Sequence, residues 1–215
     1  MTRFLLSLPL LALAALPGRP QDTAGSKPLF NGTDFTGWQT AGRQPVTKGW
    51  VVKDGAMVRE SAGGDIWTKD RFGDFVLELE FKTAGNSGVF VRTDNPKDNV
   101  QTGIEVQVDV PRGKPDKHSV GAIYDLVAPT KENAKKDDWN KMTVTAKGPM
   151  LTVEINGERV AEIDLDKWTE GGKNPDGTKN KFKTALKDFK REGHIGLQDH
   201  GAAVAYRNIR IRPLK

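Results

Sequence analysis

The sequence predicts an all-β protein of two packed antiparallel sheets, and three observations lead to that class. Apolar residues recur with a two-residue period in segment after segment, the spacing at which a strand buries one face. Those segments are short and separated by turn signals, Asp54-Gly55, Lys147-Gly148-Pro149 and Asn156-Gly157. Helical periodicity is confined to 179–190, where Phe182, Leu186 and Phe189 would share one side of a short helix bounded by Gly193.

The chain opens with MTRFLLSLPLLALAAL, one Arg followed by an apolar run that ends in an Ala-x-Ala arrangement at Ala12 and Ala14. The run is shorter than the roughly 20 residues a bilayer span needs and contains Pro9. It reads as a secretory signal peptide over 1–14, with cleavage falling as late as about residue 24. A polar linker rich in Pro, Gly and Ser would follow to residue 28, and one folded domain would occupy 29–213. This places the protein in the periplasm or outside the cell, with no stable membrane span.

Trp50-Val51-Val52 precedes the Asp54-Gly55 turn as the first arm of a hairpin. In 75–81 the apolar Phe75, Leu77, Leu79 and Phe81 alternate with Val76, Glu78 and Glu80, so one face enters a core. Met142, Val144 and Ala146 repeat the pattern, as do Leu151, Val153 and Ile155. Long connections are expected near 94–101, 111–120 and 165–180. Arg207 and Asn208 sit where the alternation of the last strand changes register, and hydrogen bonds there would pin it.

Composition narrows the chemistry. The 215 residues contain no Cys, which excludes thiolate nucleophiles, Cys-ligated zinc and disulfide scaffolds. The 33 basic and 28 acidic residues give a formal charge of +5. The Lys-rich stretch 173–191 is interrupted by Asp176 and Asp188 and lacks an aromatic series, so it reads as a solvated basic loop rather than a nucleic-acid surface. Neither G-x-G-x-x-G nor a phosphate-binding loop occurs, which disfavours a dinucleotide fold.

Two strands carry the chemical information. In 103–110, Ile104, Val106, Val108 and Val110 form an apolar face, so Glu105, Gln107 and Asp109 line the opposite one at intervals of about 6.6 Å. That face is either ordinary solvent surface or the floor of a polar cleft. In 194–200, Ile195 and Leu197 face inward while His194, Gly196, Gln198 and His200 share the other side, and Gly196 would admit a ligand or backbone at close range. Around them, Asn86 opens a run that ends in Arg92, Tyr124 could present its hydroxyl, His118 lies in a long connection, and Trp139 is either packing or a sugar platform.

Taken in order, LFNGTDFTGW, NSGVFVR, GIEVQVD, GAIYD, WN at 139–140, INGERV, GHIGLQDHG and RNIRI resemble the bacterial 3-keto-disaccharide hydrolase, or 3-keto-glucoside lyase/hydratase, domain family, formerly a domain of unknown function. The matches run across about 29–212. The resemblance implies a concanavalin A-like jelly roll of two curved antiparallel sheets whose concave face binds carbohydrate. It also implies an envelope setting and a C3-oxidised glucoside as substrate, its ketone installed by a separate sugar 3-dehydrogenase.

A C3 ketone acidifies the C2 proton, so a base can form an enolate and the C1 glycosidic bond can break by elimination. Hydrolysis by two carboxylates needs them about 5 or 6.5–9.5 Å apart. Glu105 and Asp109 would stand roughly 13 Å apart along an extended strand, which favours the elimination route. Glu105 or His200 would take the C2 proton. Arg92, helped by Gln198, would stabilise the enolate oxygen. Asp109 would orient the His or bind hydroxyls, Tyr124 or His118 would protonate the leaving oxygen, and Gln107, Asn86 and Trp139 would bind substrate. Alternatively, a divalent metal held by Glu105, Asp109 and His200 would act as electrophile. The competing function is a carbohydrate-binding module without turnover, since this sheet architecture also serves lectins.

Overall fold

The computed structural model describes residues 25–215, and the expected signal peptide, together with the first part of the linker, lies outside the described residues. Thirteen strands follow in order: β1 (Lys27–Pro28), β2 (Trp38–Thr40), β3 (Trp50–Lys53), β4 (Ala56–Arg59), β5 (Ile66–Thr68), β6 (Phe75–Thr83), β7 (Ser87–Thr93), β8 (Ile104–Val108), β9 (Asn140–Lys147), β10 (Met150–Ile155), β11 (Glu158–Asp164), β12 (His194–Leu197) and β13 (Val204–Pro213). One single-turn helix, α1 (Asn99–Thr102), precedes β8. No helix among the described residues is long and apolar enough to cross a membrane.

The strands form a two-sheet sandwich of jelly-roll type. The larger sheet runs β11-β10-β9-β6-β13-β4-β3 with β1 added on β13, and the smaller runs β2-β5-β12-β7-β8. The alternation read from the sequence decides which faces meet: Phe75, Leu77, Leu79 and Phe81 of β6 are buried, as are Met142, Val144 and Ala146 of β9 and Leu151, Val153 and Ile155 of β10. They pack against Val89, Val91, Val106, Val108, Ile195 and Leu197 of the smaller sheet. The expected hairpin turns form where residues tolerate positive φ, at Asp54 (50°) with Gly55 (72°) and at Asn156 (52°) with Gly157 (81°).

On β13 the pairing with β6 shifts between Arg207 and Arg210, and Asn208 takes φ 53°. Arg207 Nε donates to one oxygen of Glu80 at 2.8 Å and Asn208 Nδ2 to the other at 2.9 Å, which pins the bulge as expected.

The stretch 179–190 departs from expectation. It forms no α-helix, only a 3-10 turn at Leu186–Asp188. The cause is competition for its amide donors: Lys181 N donates to Asp125 Oδ2, Phe182 N to Asn180 Oδ1 and Lys183 N to Gln101 Oε1, where a helix would need carbonyls four residues back. Phe182 and Phe189 still meet, edge to face at 5.6 Å.

The two sheets differ in what covers their outer faces. Along β6 the outward residues Val76, Glu78 and Glu80 are half-buried, whereas every residue of β7, β8 and β12 is buried on both faces. Connections roof the smaller sheet. Residues 121–124 run along the free edge of β8, with Gln107 N donating to Ala122 O and Tyr124 N to Glu105 O. The 170–190 connection folds over the same side through Lys181.

Candidate active site

Strand register determines which side chains share the roofed face. Glu105 lies opposite Phe90, Phe90 opposite Gly196, and Gly196 opposite Trp67, so these four form one row across the smaller sheet. Gln107 is paired with Gly88, and Gln198 N donates to Gly88 O, giving a neighbouring row. Two glycines make the rows possible. A Cβ at Gly88 would lie 2.6 Å from Glu105 Oε1, so the missing side chain is what lets the carboxylate lie across the backbone of β7.

Gly196 serves a different visitor from the one expected. A Cβ there would sit 2.3 Å from the ring of Trp67, so an indole, not a ligand or backbone, occupies the space. That indole packs on Phe90 at 5.4 Å between ring centroids. Gly196→Ala is expected to displace it and lower stability by about 1–3 kcal/mol, the usual range for overpacking. Thermal unfolding followed by tryptophan fluorescence measures this, and an unchanged midpoint would contradict the packing described.

Glu105 is 5% exposed. Gln198 Nε2 donates to its Oε1 at 3.0 Å, and Lys181 Nζ stands 3.5 Å from its Oε2. Burial pushes the Glu105 carboxyl above the ordinary carboxylate range, the charge and hydrogen bond of Lys181 oppose the rise, and the Asp65 carboxylate adds to it. Tyr124 stands beside the pair: Lys181 Nζ lies 4.2 Å above its ring and the His118 imidazole 4.7 Å from it. Burial raises the Tyr124 phenol as well, assisted by the charges of Glu105 and Asp125. His118 Nε2 is 3.7 Å from Asp125 Oδ1.

Around Glu105 the polar floor has unspent hydrogen-bonding capacity. Gln107 Nε2 donates to Asn86 Oδ1 at 3.0 Å, yet Gln107 Oε1, Gln198 Oε1 and Trp67 Nε1 are buried with no partner in the protein. Buried polar atoms are normally paired, so three without a protein partner set this face apart from the rest of the sheet. Asp65 borders the same region, accepting from Asn99 Nδ2 at 2.7 Å and Asp199 N at 2.8 Å. Its carboxyl is raised chiefly by burial, with His200 nearby acting in the opposite direction.

The expected residues thus divide. Glu105, Gln107, Gln198, Asn86, Tyr124 and His118 gather at one place, with His118 exposed at its margin. His200 lies beyond the end of β12, exposed and beside Asp65 rather than in contact with Glu105. The strand stops at Leu197, so the alternation that would have placed His200 with Gln198 no longer holds.

Asp109 falls just past β8, where its carboxylate accepts from Val110 N at 2.7 Å and pairs with Arg112. It is therefore engaged locally and orients no imidazole. Nor do Glu105, Asp109 and His200 assemble as a metal-binding set: among the described residues no group of three His, Asp or Glu side chains converges as metal ligands.

Arg92 is withdrawn from the site by a bulge. Between β7 and β12, three residues from Phe90 to Thr93 advance while β12 moves only from Gly196 to His194, and Arg92 takes φ 52°. The extra residue turns the guanidinium away from the polar face. It donates to Gly73 O at 3.0 Å, Gly148 O at 2.7 Å and Asp74 Oδ1 at 2.8 Å. Trp139 is also elsewhere, stacked 4.0 Å from the guanidinium of Arg207 on the larger sheet. His194 faces outward near Gln39 and Asn95 but spends Nδ1 on Thr68 O at 2.8 Å.

Sequence reasoning missed Lys181, Asp65, Trp67 and Gly88. Lys181 lay within the basic loop read as solvated, and no local pattern separates it from its Lys neighbours. Gly88 had a usable signal, an isolated Gly inside a strand pattern, which marks close approach of another group.

A 3-keto-alpha-glucoside-1,2-lyase-like domain model matches residues 25–212. A 3-keto-disaccharide hydrolase of Bacteroides thetaiotaomicron is 28% identical over 233 aligned positions, covering 91% of this chain and 80% of the relative. The crystal structure of a candidate glycosyl hydrolase from Parabacteroides distasonis is 33% identical, superposes with a TM-score of 0.77, and matches 88% of this chain and 99% of its own. A laminarinase from Flavobacterium sp. UMI-01, 13% identical with a TM-score of 0.54 over 87% of this chain and 98% of its own, shares the fold alone.

Proposed function

The chain belongs to the 3-keto-alpha-glucoside-1,2-lyase-like domain family, and from that premise we propose that it cleaves 3-keto-glucosides by elimination, with Glu105 as the base that removes the C2 proton. The observation that carries this reading is the buried Glu105 carboxylate laid over Gly88 among polar atoms that lack protein partners. A base of raised pKa close to the acidified C–H is what proton abstraction next to a ketone requires. Asp109, expected to orient the His or bind hydroxyls, is committed to Arg112.

In the proposed reaction Glu105 takes the C2 proton, the C–H electron pair becomes the C2–C3 double bond of an enolate, and the ketone pair moves to O3. The pair then returns: C3=O re-forms, C1=C2 forms, and the C1–O glycosidic bond breaks. Tyr124, beside Glu105, would give the leaving oxygen its proton, with His118 and Asp125 behind it as the route for replacement. Water addition across C1=C2 would convert the glycal to the free 3-keto sugar and make the net outcome hydrolysis. Gln107, Gln198 and Asn86 would hold sugar hydroxyls. The same reading calls for a separate oxidoreductase to install the ketone. Export to the periplasm or beyond, through the apolar segment at the start of the chain, belongs to the same reading.

The test is incubation with a 3-keto-disaccharide and its non-oxidised parent, following aglycone release and C2 proton exchange in deuterated water. Release and exchange from the keto sugar alone support the proposal, whereas binding with neither identifies a carbohydrate-binding module. A pH dependence follows. Glu105 acts as the carboxylate, so kcat/KM should rise with pH through its pKa, and that acid limb should lie above the ordinary value of 4.5 because burial favours the neutral form. An acid limb below that value would exclude Glu105 as the titrating base.

A further inference from the structure

We infer that Lys181, resting on the reading of Glu105 as base, supplies the positive charge that stabilises the enolate oxygen. The proposed elimination places negative charge on O3, and a preorganised donor aimed at that oxygen is usually the largest contribution to such a rate. Arg92 does not provide it, because its guanidinium is spent on Gly73, Gly148 and Asp74. Arg112 is paired with Asp109, and Lys117 Nζ reaches Thr178 Oγ1 at 3.3 Å. Among the described residues, Lys181 is the cation paired with Glu105.

Its backbone is held as a positioned residue is held. Lys181 N donates to Asp125 Oδ2 at 2.7 Å, and Lys181 O accepts from Gln101 Nε2 at 3.0 Å. Lys183 N returns a bond to Gln101 Oε1 at 2.8 Å, and Phe182, between the two lysines, is buried in the core. The side chain crosses the Tyr124 ring and ends 3.5 Å from Glu105, with 24% of its surface open. A committed ammonium–carboxylate bond measures about 2.7–2.9 Å. An ammonium carries three donors, and this one makes a single long contact with Glu105 and two π contacts, over Tyr124 at 4.2 Å and Phe182 at 5.5 Å, which leaves donor capacity for a substrate oxygen next to the base.

The step balances without a further reactant. The proton goes to Glu105, the C–H pair to the C2–C3 bond, and the ketone pair to O3 under Lys181. Collapse of that charge then expels the glycosidic oxygen, which takes a proton from Tyr124, and the proton left on Glu105 restores the balance.

The experiment compares wild type, Lys181→Gln, Lys181→Arg and Lys181→Ala on a 3-keto-disaccharide, reading kcat, KM, C2 exchange and thermal midpoint. Lys181→Gln should lower kcat and C2 exchange by about 10²-fold or more, with KM little changed. Lys181→Arg should recover part of the rate, and ethylammonium in the buffer should raise the Lys181→Ala rate by about tenfold. Rates in Lys181→Gln within about threefold of wild type overturn the proposal. A loss that tracks a lowered thermal midpoint and resists ethylammonium assigns Lys181 to loop anchoring and overturns it as well. If wild type itself neither exchanges C2 nor releases aglycone, the elimination reading fails and this inference with it. An active wild type with insensitive Lys181 variants removes the inference alone.

Discussion

Replacing Glu105 by Gln is expected to lower kcat and C2 proton exchange on a 3-keto-disaccharide by about 10²- to 10⁴-fold, the usual contribution of a positioned general base. Gln keeps the shape and still offers an oxygen to Gln198 Nε2, so the bond seen at 3.0 Å can persist and the fold need not rearrange. Stability should move in the other direction. A carboxyl whose pKa is raised in the folded state binds its proton more tightly there than in the unfolded chain. Its contribution is therefore complete below the unfolded pKa and is lost as pH rises through the folded one. Above the folded pKa the wild type bears that loss, so there Glu105→Gln should unfold at or above the wild-type midpoint. The paired measurement is steady-state kinetics with thermal unfolding across a pH series. An active variant, or an inactive one that is also unfolded, would remove Glu105 from its assigned role.

Arg92→Met is expected to do the reverse, costing stability and sparing chemistry. The guanidinium is 1% exposed and ties β7 to Gly73, to Asp74 and to the turn carbonyl of Gly148 between β9 and β10. Truncating it leaves two carbonyls and a carboxylate short of a donor, and because all three are half-buried and water can reach them in part, the cost is about 1–3 kcal/mol. In a domain of this size that corresponds to a fall in melting temperature of roughly 2–12 °C. Below the transition, kcat should stay within about threefold of wild type. A variant of normal stability that has lost activity would return Arg92 to the catalytic centre and discredit the bulge as the reason for its removal.

Where the two-residue period persisted, the sequence was legible. The alternation at 75–81 places four side chains in the core, and the same arithmetic puts Glu105 and Gln107 together on the opposite face of β8. It failed wherever the period broke. Arg92 turned away because one extra residue entered β7, and His200 because β12 ended three residues earlier. The helix expected at 179–190 gave way to side-chain acceptors from distant positions, among them Gln101 and Asp125.

Periodicity and turn chemistry therefore determined the class of fold, most of its strands and the shared face of Glu105 and Gln107, because these depend on neighbours a few residues apart. The composition of the site was decided only in three dimensions. The ammonium of Lys181, the amide of Gln198 and the carboxylate of Glu105 come from segments far apart in the chain. Their meeting depends on which connections fold over the smaller sheet, and long-range packing of that kind leaves no spacing in the sequence from which it can be read.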